Sequence, residues 1–260
     1  MKSILVIAER ELKTYFISPI AYVVLTIFTF LSGFVFYFFV RAMVNSVASR
    51  AMMSAQTGRP PDPIDMPGLV VQSMFGFLSF VLLLLLPMIT MALFSEEKKR
   101  GTMELLLTAP VTDLQVVLGK FLAASTFYLI LLSTTLVEIA ILFFYSQPAK
   151  GPILSALLGI VLYGLAIIAI GMFISTLTES QIVSVILSFG VLMVLWLIGA
   201  IAQNSGPTAK AVLSYLSILD HTNDFLQGVI STSHIIFYLS LIVLGVFLTY
   251  RSLDSLRWRS

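Results

Sequence analysis

Six long apolar stretches dominate this chain, at about residues 20–40, 69–94, 121–145, 153–175, 182–202 and 234–250. Crossing about 30 Å of hydrocarbon takes roughly 20 helical residues, and these stretches are of that order. Inside lipid the backbone must satisfy its own polar groups, so helix is the form open to each stretch. The expected fold class is an all-α integral membrane protein with six transmembrane helices in one domain over residues 1–260. Composition agrees, because 58% of the residues are hydrophobic and only 11% are charged, where a soluble domain carries about 25% charge.

With so little polar chain, the polar segments decide what the protein can meet outside the bilayer. The longest run of charge between two spans is Glu96 to Lys120, EEKKRGTMELLLTAPVTDLQVVLGK, with eight charged residues. Lys98, Lys99 and Arg100 fall in the last turn of a helix arriving from span 2, where cations suit the negative end of the dipole, and Gly101 should stop that helix. Thr102 is placed to cap a brief helix over Met103, Glu104, Leu105, Leu106 and Leu107. Pro110 ends it early, since it lacks an N–H and pushes Ala109 out of the helical region. Thr112 with Gln115 makes a capping box, and Asp113 adds a carboxylate to the first turn of the helix that becomes span 3. The expectation is a short amphipathic helix at the membrane surface, bounded by two spans.

The run EEKKRGTMELLLTAPV, followed by the LGK of Leu118 to Lys120, resembles the cytoplasmic loop between spans 2 and 3 of type-2 ABC transporter permeases. The resemblance implies that this loop carries the coupling helix that docks on a nucleotide-binding subunit. It assigns ATPase coupling to Glu96, Glu97, Lys98, Arg100, Gly101, Thr102, Glu104, Leu105, Leu106, Pro110 and Val111. It also implies ABC ATPase subunits as partners, and a second permease copy or a homologue completing a dimer in a bacterial inner membrane.

Residues 2–16 have the pattern of an interfacial helix. Leu5, Ala8, Leu12, Tyr15 and Phe16 gather on one side, and Lys2, Glu9, Arg10 and Lys13 on the other. The apolar run before Glu9 is too short for a signal peptide. The resembled family places a similar helix, here with Glu9, Arg10 and Lys13 exposed, along the cytoplasmic surface.

Between spans 1 and 2 the residues 41–68 are expected to form a polar loop whose Pro-rich end, 59–67, is irregular. Pro87 should kink span 2. Between spans 5 and 6, Ala211 to Leu219 is apolar but too short to cross, and a re-entrant or surface helix is expected there. Residues such as Ser155, Gly159 and Gly164 would let helices approach closely in span 4.

An even number of crossings puts both termini on one side. With that side cytoplasmic, ten of the fifteen basic residues lie inside and five outside, Arg41, Arg50, Arg59, Lys150 and Lys210. The positive-inside bias therefore favours cytoplasmic termini and a cytoplasmic coupling loop.

Several chemistries are excluded. With no cysteine there is no disulfide, thiol nucleophile or cysteine metal site. A net charge of +2, dispersed around span ends, argues against nucleic acid. The one Gly-Lys pair, Gly119-Lys120, does not make a Walker A loop, because Leu114 stands where its first glycine belongs and Phe121 where its hydroxyl belongs. ATP and Mg are accordingly expected on a partner ATPase subunit, with no cofactor on this chain.

Glu138 is the one acid deep in a span, so it is a candidate for the translocation path. The alternative is a carboxyl that is protonated or hydrogen-bonded to a Ser, Thr or Tyr of a neighbouring helix. Asp220, His221 and Asp224 could contribute to a metal site, yet a closed site wants about four placed ligands and the others cannot be named; a capping and loop role is preferred. No metal is expected.

The function expected is the permease subunit of an ATP-driven exporter. Two alternatives come from other classes. One is a non-transporting scaffold through which an ATPase acts on an extracytoplasmic partner. The other is an intramembrane enzyme, against which stands the lack of a G-x-S nucleophile with a nearby intramembrane histidine. Within the superfamily, the short chain, the Pro-rich first outer loop and HTNDFLQGVI (221–230) resemble gliding-motility-associated permeases, which implies an accessory membrane protein with an extracytoplasmic domain.

Overall fold

A computed structural model describes residues 2–58, 65–102 and 111–257. Every regular element among them is an α-helix. In chain order these are α1 (Lys2–Ile17), α2 (Pro19–Thr57), α3 (Met66–Thr90), α4 (Ala92–Lys99), α5 (Asp113–Ser133), α6 (Thr135–Tyr145), α7 (Lys150–Ser175), α8 (Gln181–Gln203), α9 (Pro207–Leu216), α10 (Ile218–Leu226) and α11 (Thr232–Arg257). Six helical stretches are long and apolar enough to cross a membrane: α2, α3 with α4, α5 with α6, α7, α8 and α11. The protein is an all-α multi-pass membrane protein.

Burial follows the order of packing. α3 and α7 form the centre, where Phe75, Leu78, Leu82, Ile160, Ala166 and Ile168 are fully covered. α2 and α8 instead expose Phe30, Phe34, Tyr37, Phe38, Ile182, Ile186 and Val194, apolar surface that a bilayer would cover. Glycines make the closest approaches at the centre. A Cβ on Gly164 would sit 2.1 Å from Cζ of Tyr128, and one on Gly159 would sit 2.4 Å from Cβ of Phe225. Only a hydrogen fits at either place, so α5 and α10 can lie directly on α7. Two buried tyrosine hydroxyls are satisfied across the seams of α7: Tyr128 donates to the carbonyl of Ile160, and Tyr163 donates to that of Ser79 at 2.8 Å.

Four sequence expectations need correction. Residues 41–57 are not a loop; they continue α2 to Thr57, where Gly58 at φ 67° closes the helix and returns its N–H to Ser54. No Gly or Pro interrupts the chain from Phe34 to Thr57, and the residues after Arg41 are good enough helix formers to carry the ladder past the apolar stretch. Span 3 is not one helix but two. Ser133, Thr134 and Thr135 donate their hydroxyls to the carbonyls of Ile130, Leu131 and Leu132, and the helix breaks there. The segment between spans 5 and 6 holds two short helices, α9 and α10, divided at Ser217, whose side chain caps α10 by accepting from Asp220 N–H. Finally, Leu5 of α1 is 63% exposed, so it is not on the packed side of its helix.

Contacts between segments fix which ends share a face. Lys98 of α4 donates to the carbonyl of Thr176 after α7, and Thr176 donates to Ser252 of α11 at 2.8 Å. With α1 these form the face that bears both described ends of the chain. On the opposite face, Asp65 accepts from Ala149 N–H at 3.3 Å, and Gly228 packs on Pro152.

Candidate functional site

The polar stretch begins within α4, which carries Glu96, Glu97, Lys98 and Lys99. Its end is closed by a Schellman motif: Gly101 N–H bonds Lys98 O at 3.1 Å, and Thr102 N–H bonds Glu97 O at 3.0 Å. Gly101 takes φ 68°, the left-handed turn that glycine enters without strain. Thr102 also donates its hydroxyl to Glu97 O at 3.3 Å. Residues 103–110 lie outside the described residues, and with them the expected coupling helix, including Glu104, Leu105, Leu106 and Pro110.

The chain returns at Val111. The capping box is present, with Gln115 N–H on Thr112 Oγ1 at 3.4 Å and Thr112 N–H on Gln115 Oε1 at 3.3 Å. Asp113 stands in the first turn of α5. Both boundaries of the stretch are therefore firmly capped.

Between those boundaries and the bundle sits Lys120, which is only 2% exposed. Its ammonium lies 2.9 Å from Glu97 Oε1 and 3.2 Å from Glu11 Oε1, and 5.1 Å above the ring of Phe94. A cation held this far from water is stable only with such partners. Lys120 thus ties α5 to α4 and to α1.

Glu11 enters this cluster because α1 packs along α5 through Ile4, Ile7, Leu12, Tyr15 and Phe16. Tyr15 stacks on Phe127 with centroids 5.4 Å apart, and its hydroxyl donates to Ile89 O at 3.2 Å. The opposite side of α1 carries Glu9, Arg10 and Lys13 in solvent. Lys13 bonds Glu9 at 2.7 Å, and that hydrogen bond, together with the lysine's charge, holds the Glu9 carboxyl below its usual range. Arg10 reaches Glu11 at 3.1 Å.

The expected site residues therefore divide. Glu97 is drawn into the Lys120 cluster and Lys98 onto the carbonyl of Thr176, while Glu96 and Arg100 pair with each other at 2.5 Å on the exposed side of α4. Glu138 lies apart, on α6. It is 7% exposed, with the hydroxyl of Ser32 on α2 at 2.7 Å from both of its oxygens. Among the described residues that serine is its polar partner. Glu11 and Lys120 join the site beyond the residues that the sequence motif assigns. Glu11 shares the helical face of Ile4, Ile7, Leu12 and Tyr15, and an acid on a packing face is the signal that marks it.

A model of the family described as ABC-2 family transporter protein matches residues 5–253, nearly the whole chain. The chain belongs to the ABC-2 family. Family membership implies an ABC ATPase partner and a membrane setting, and the family has no ATPase motifs of its own. No curated protein matches this ABC-2 chain. Among its described residues no group of three or more His, Asp or Glu could hold a metal ion.

Proposed function

We propose that this ABC-2 chain is the permease subunit of an exporter whose ATP and Mg are bound by a separate nucleotide-binding subunit, and that residues 96–111 are the element on which that subunit acts. The observation that carries this reading is the Lys120 cluster. A push on the capped stretch after α4 would reach α1 and α5 through Glu11, Glu97 and Lys120, and α7 and α11 through Lys98 and Thr176. A cavity of about 250 Å3, lined by Glu11, Tyr15, Ile89, Glu96 and Gln181 among others, leaves room for α4 to shift against α1. Two such permeases, or one with a homologue, would frame the path, with the coupling stretch and both termini in the cytoplasm of a bacterium and the spans in its inner membrane.

The test is ATPase activity of the nucleotide-binding subunit copurified with the permease in lipid nanodiscs. A folded Glu104→Arg variant should lose copurification or stimulation. A stable complex with unaltered activity would overturn the assignment.

A second reading is favoured by α2. Its residues 41–57 project beyond the apolar stretch and are largely exposed, as suits contact with an extracytoplasmic partner. In that reading the chain transmits force from the ATPase to an accessory membrane protein and moves no substrate. The Pro-rich segment 59–67 and HTNDFLQGVI support a place among gliding-motility-associated permeases, where such a partner is expected.

A further inference from the structure

The chain has two histidines, and the fold brings them together on the face opposite the Lys120 cluster. Nδ1 of His221, on α10, lies 2.5 Å from Nδ1 of His234, near the start of α11. The outer nitrogens are also engaged. His221 Nε2 is 2.9 Å from the carbonyl of Tyr215 at the end of α9, and His234 Nε2 is 2.8 Å from Asp224 Oδ2. His221 is buried and stacked on Phe237, with centroids 3.9 Å apart.

This geometry fixes the proton count. A carbonyl and a carboxylate only accept, so both Nε2 atoms carry hydrogen. Between the facing Nδ1 atoms there is room for one proton. Two rings with three protons are one neutral imidazole and one imidazolium, and the imidazolium is balanced by Asp224. Burial, the largest influence, pushes the His221 ring below its ordinary range. The Tyr215 carbonyl, Asp220 and Asp224 pull upward, and His234 pushes down.

We propose that His221, His234 and Asp224 form a proton-operated latch that fastens α10 to the start of α11, closed while the two rings share one proton and released when acid adds a second. Two N–H donors cannot face each other at this separation, so the added proton parts the rings. Gly228, at φ 88° in the connection between the two helices, supplies the turn about which they separate. The titratable groups facing His221 are Asp220 and Asp224 of its own helix, His234 and Tyr238 of α11, and Tyr215 of α9. The other helices meet α10 at glycines: Gly159 of α7 against Phe225, Gly76 of α3 against Leu226, and Gly199 of α8 against Ser217 and Asp220.

The direction follows from linkage. Released His221 regains the ordinary imidazole pKa of about 6.5, so opening takes up a proton. The latch is intact above that range and is lost as pH falls through it, with opening favoured by up to about tenfold per pH unit for one linked proton. In the orientation proposed above, the acidity it reads is extracytoplasmic.

Because the chain holds only these two histidines, nitrogen-15 histidine labelling of the full protein, purified through a histidine-free tag into nanodiscs, reports four ring nitrogens. At neutral pH magnetic resonance should find three protonated, one bare, and a coupling across the Nδ1 pair. Titration from about pH 8 to about pH 5 should protonate the fourth and abolish the coupling, and deuterium uptake by 218–226 should rise in step. His221→Phe keeps the stack and should make that uptake independent of pH. Two rings that titrate without coupling, flat uptake in the wild type, or the same acid response in His221→Phe would each overturn the latch. The resonance measurement decides even if the variant does not fold.

Discussion

Lys120 Nζ and Glu97 Oε1 sit 2.9 Å apart at the point where α4 and α5, the helices flanking the proposed coupling stretch, come together. Twenty-three residues separate them in sequence, and the stretch assigned to the ATPase lies between. The pair ties the two flanking helices together, and Glu11 fastens the N-terminal helix to the same ammonium.

Removing the cation should therefore loosen three helices together. Lys120→Met leaves two carboxylates facing each other in a poorly hydrated place and should destabilise the protein by about 3–5 kcal/mol. Lys120→Arg should retain most of the stability. Thermal midpoints of both variants in the same detergent check this, and a midpoint unmoved by Lys120→Met would show that the cluster bears little load.

At the centre of the bundle, Gly164→Ala places a methyl group within 2.1 Å of the Tyr128 ring. α5 and α7 must part, at a cost of about 1–3 kcal/mol. Tyr128→Leu, made in the same chain, should recover part of the loss. If Gly164→Ala unfolds at the wild-type temperature, the two helices are not in contact as described.

Much of this was legible in the sequence, and what was missed has physical reasons. The six spans could be read because lipid imposes a length, and the capping box at Thr112 because its two side chains act only locally. The stop at Gly101 was legible for the same reason. The length of α2 was not, because polarity after Arg41, which resembles a loop, marks only the end of the apolar surface; helix continues until Gly58. Burial of Lys120 depends on α1 folding back onto α5, a tertiary event that a basic residue at a span end does not announce. The Ser133-Thr134-Thr135 run could have signalled the break in span 3, since consecutive hydroxyls compete for helix carbonyls.

Glu138 should tolerate exchange of its carboxyl for an amide better than its partner tolerates loss of the hydroxyl. Glu138→Gln keeps a group that Ser32 can bond, so stability should change by less than about 1 kcal/mol. Ser32→Ala strands a buried carboxyl and should lower stability by about 1–3 kcal/mol. If Glu138→Gln abolishes ATPase stimulation while leaving the thermal midpoint intact, the carboxyl serves the translocation path rather than packing.

Gly101 offers a separate handle on the proposed coupling stretch. A β-branched residue at φ 68° is strained, and Gly101→Val should destabilise the end of α4 by about 1–2 kcal/mol. Gly101→Asn should be much milder. ATPase stimulation that falls in this order, with the thermal midpoint nearly constant, would place the effect in the direction the chain takes after Thr102.

The length of α2 has a mechanical consequence. Ser32 holds this helix to Glu138 about a third of the way along it, and 25 residues, about 38 Å of helix, separate Ser32 from Thr57. A tilt of about 10° around that anchor would sweep the far tip through about 6 Å, with little displacement of the helix at the anchor itself. A small rotation among packed spans would thus be delivered on the opposite face as a stroke about twice that at the near end of the helix.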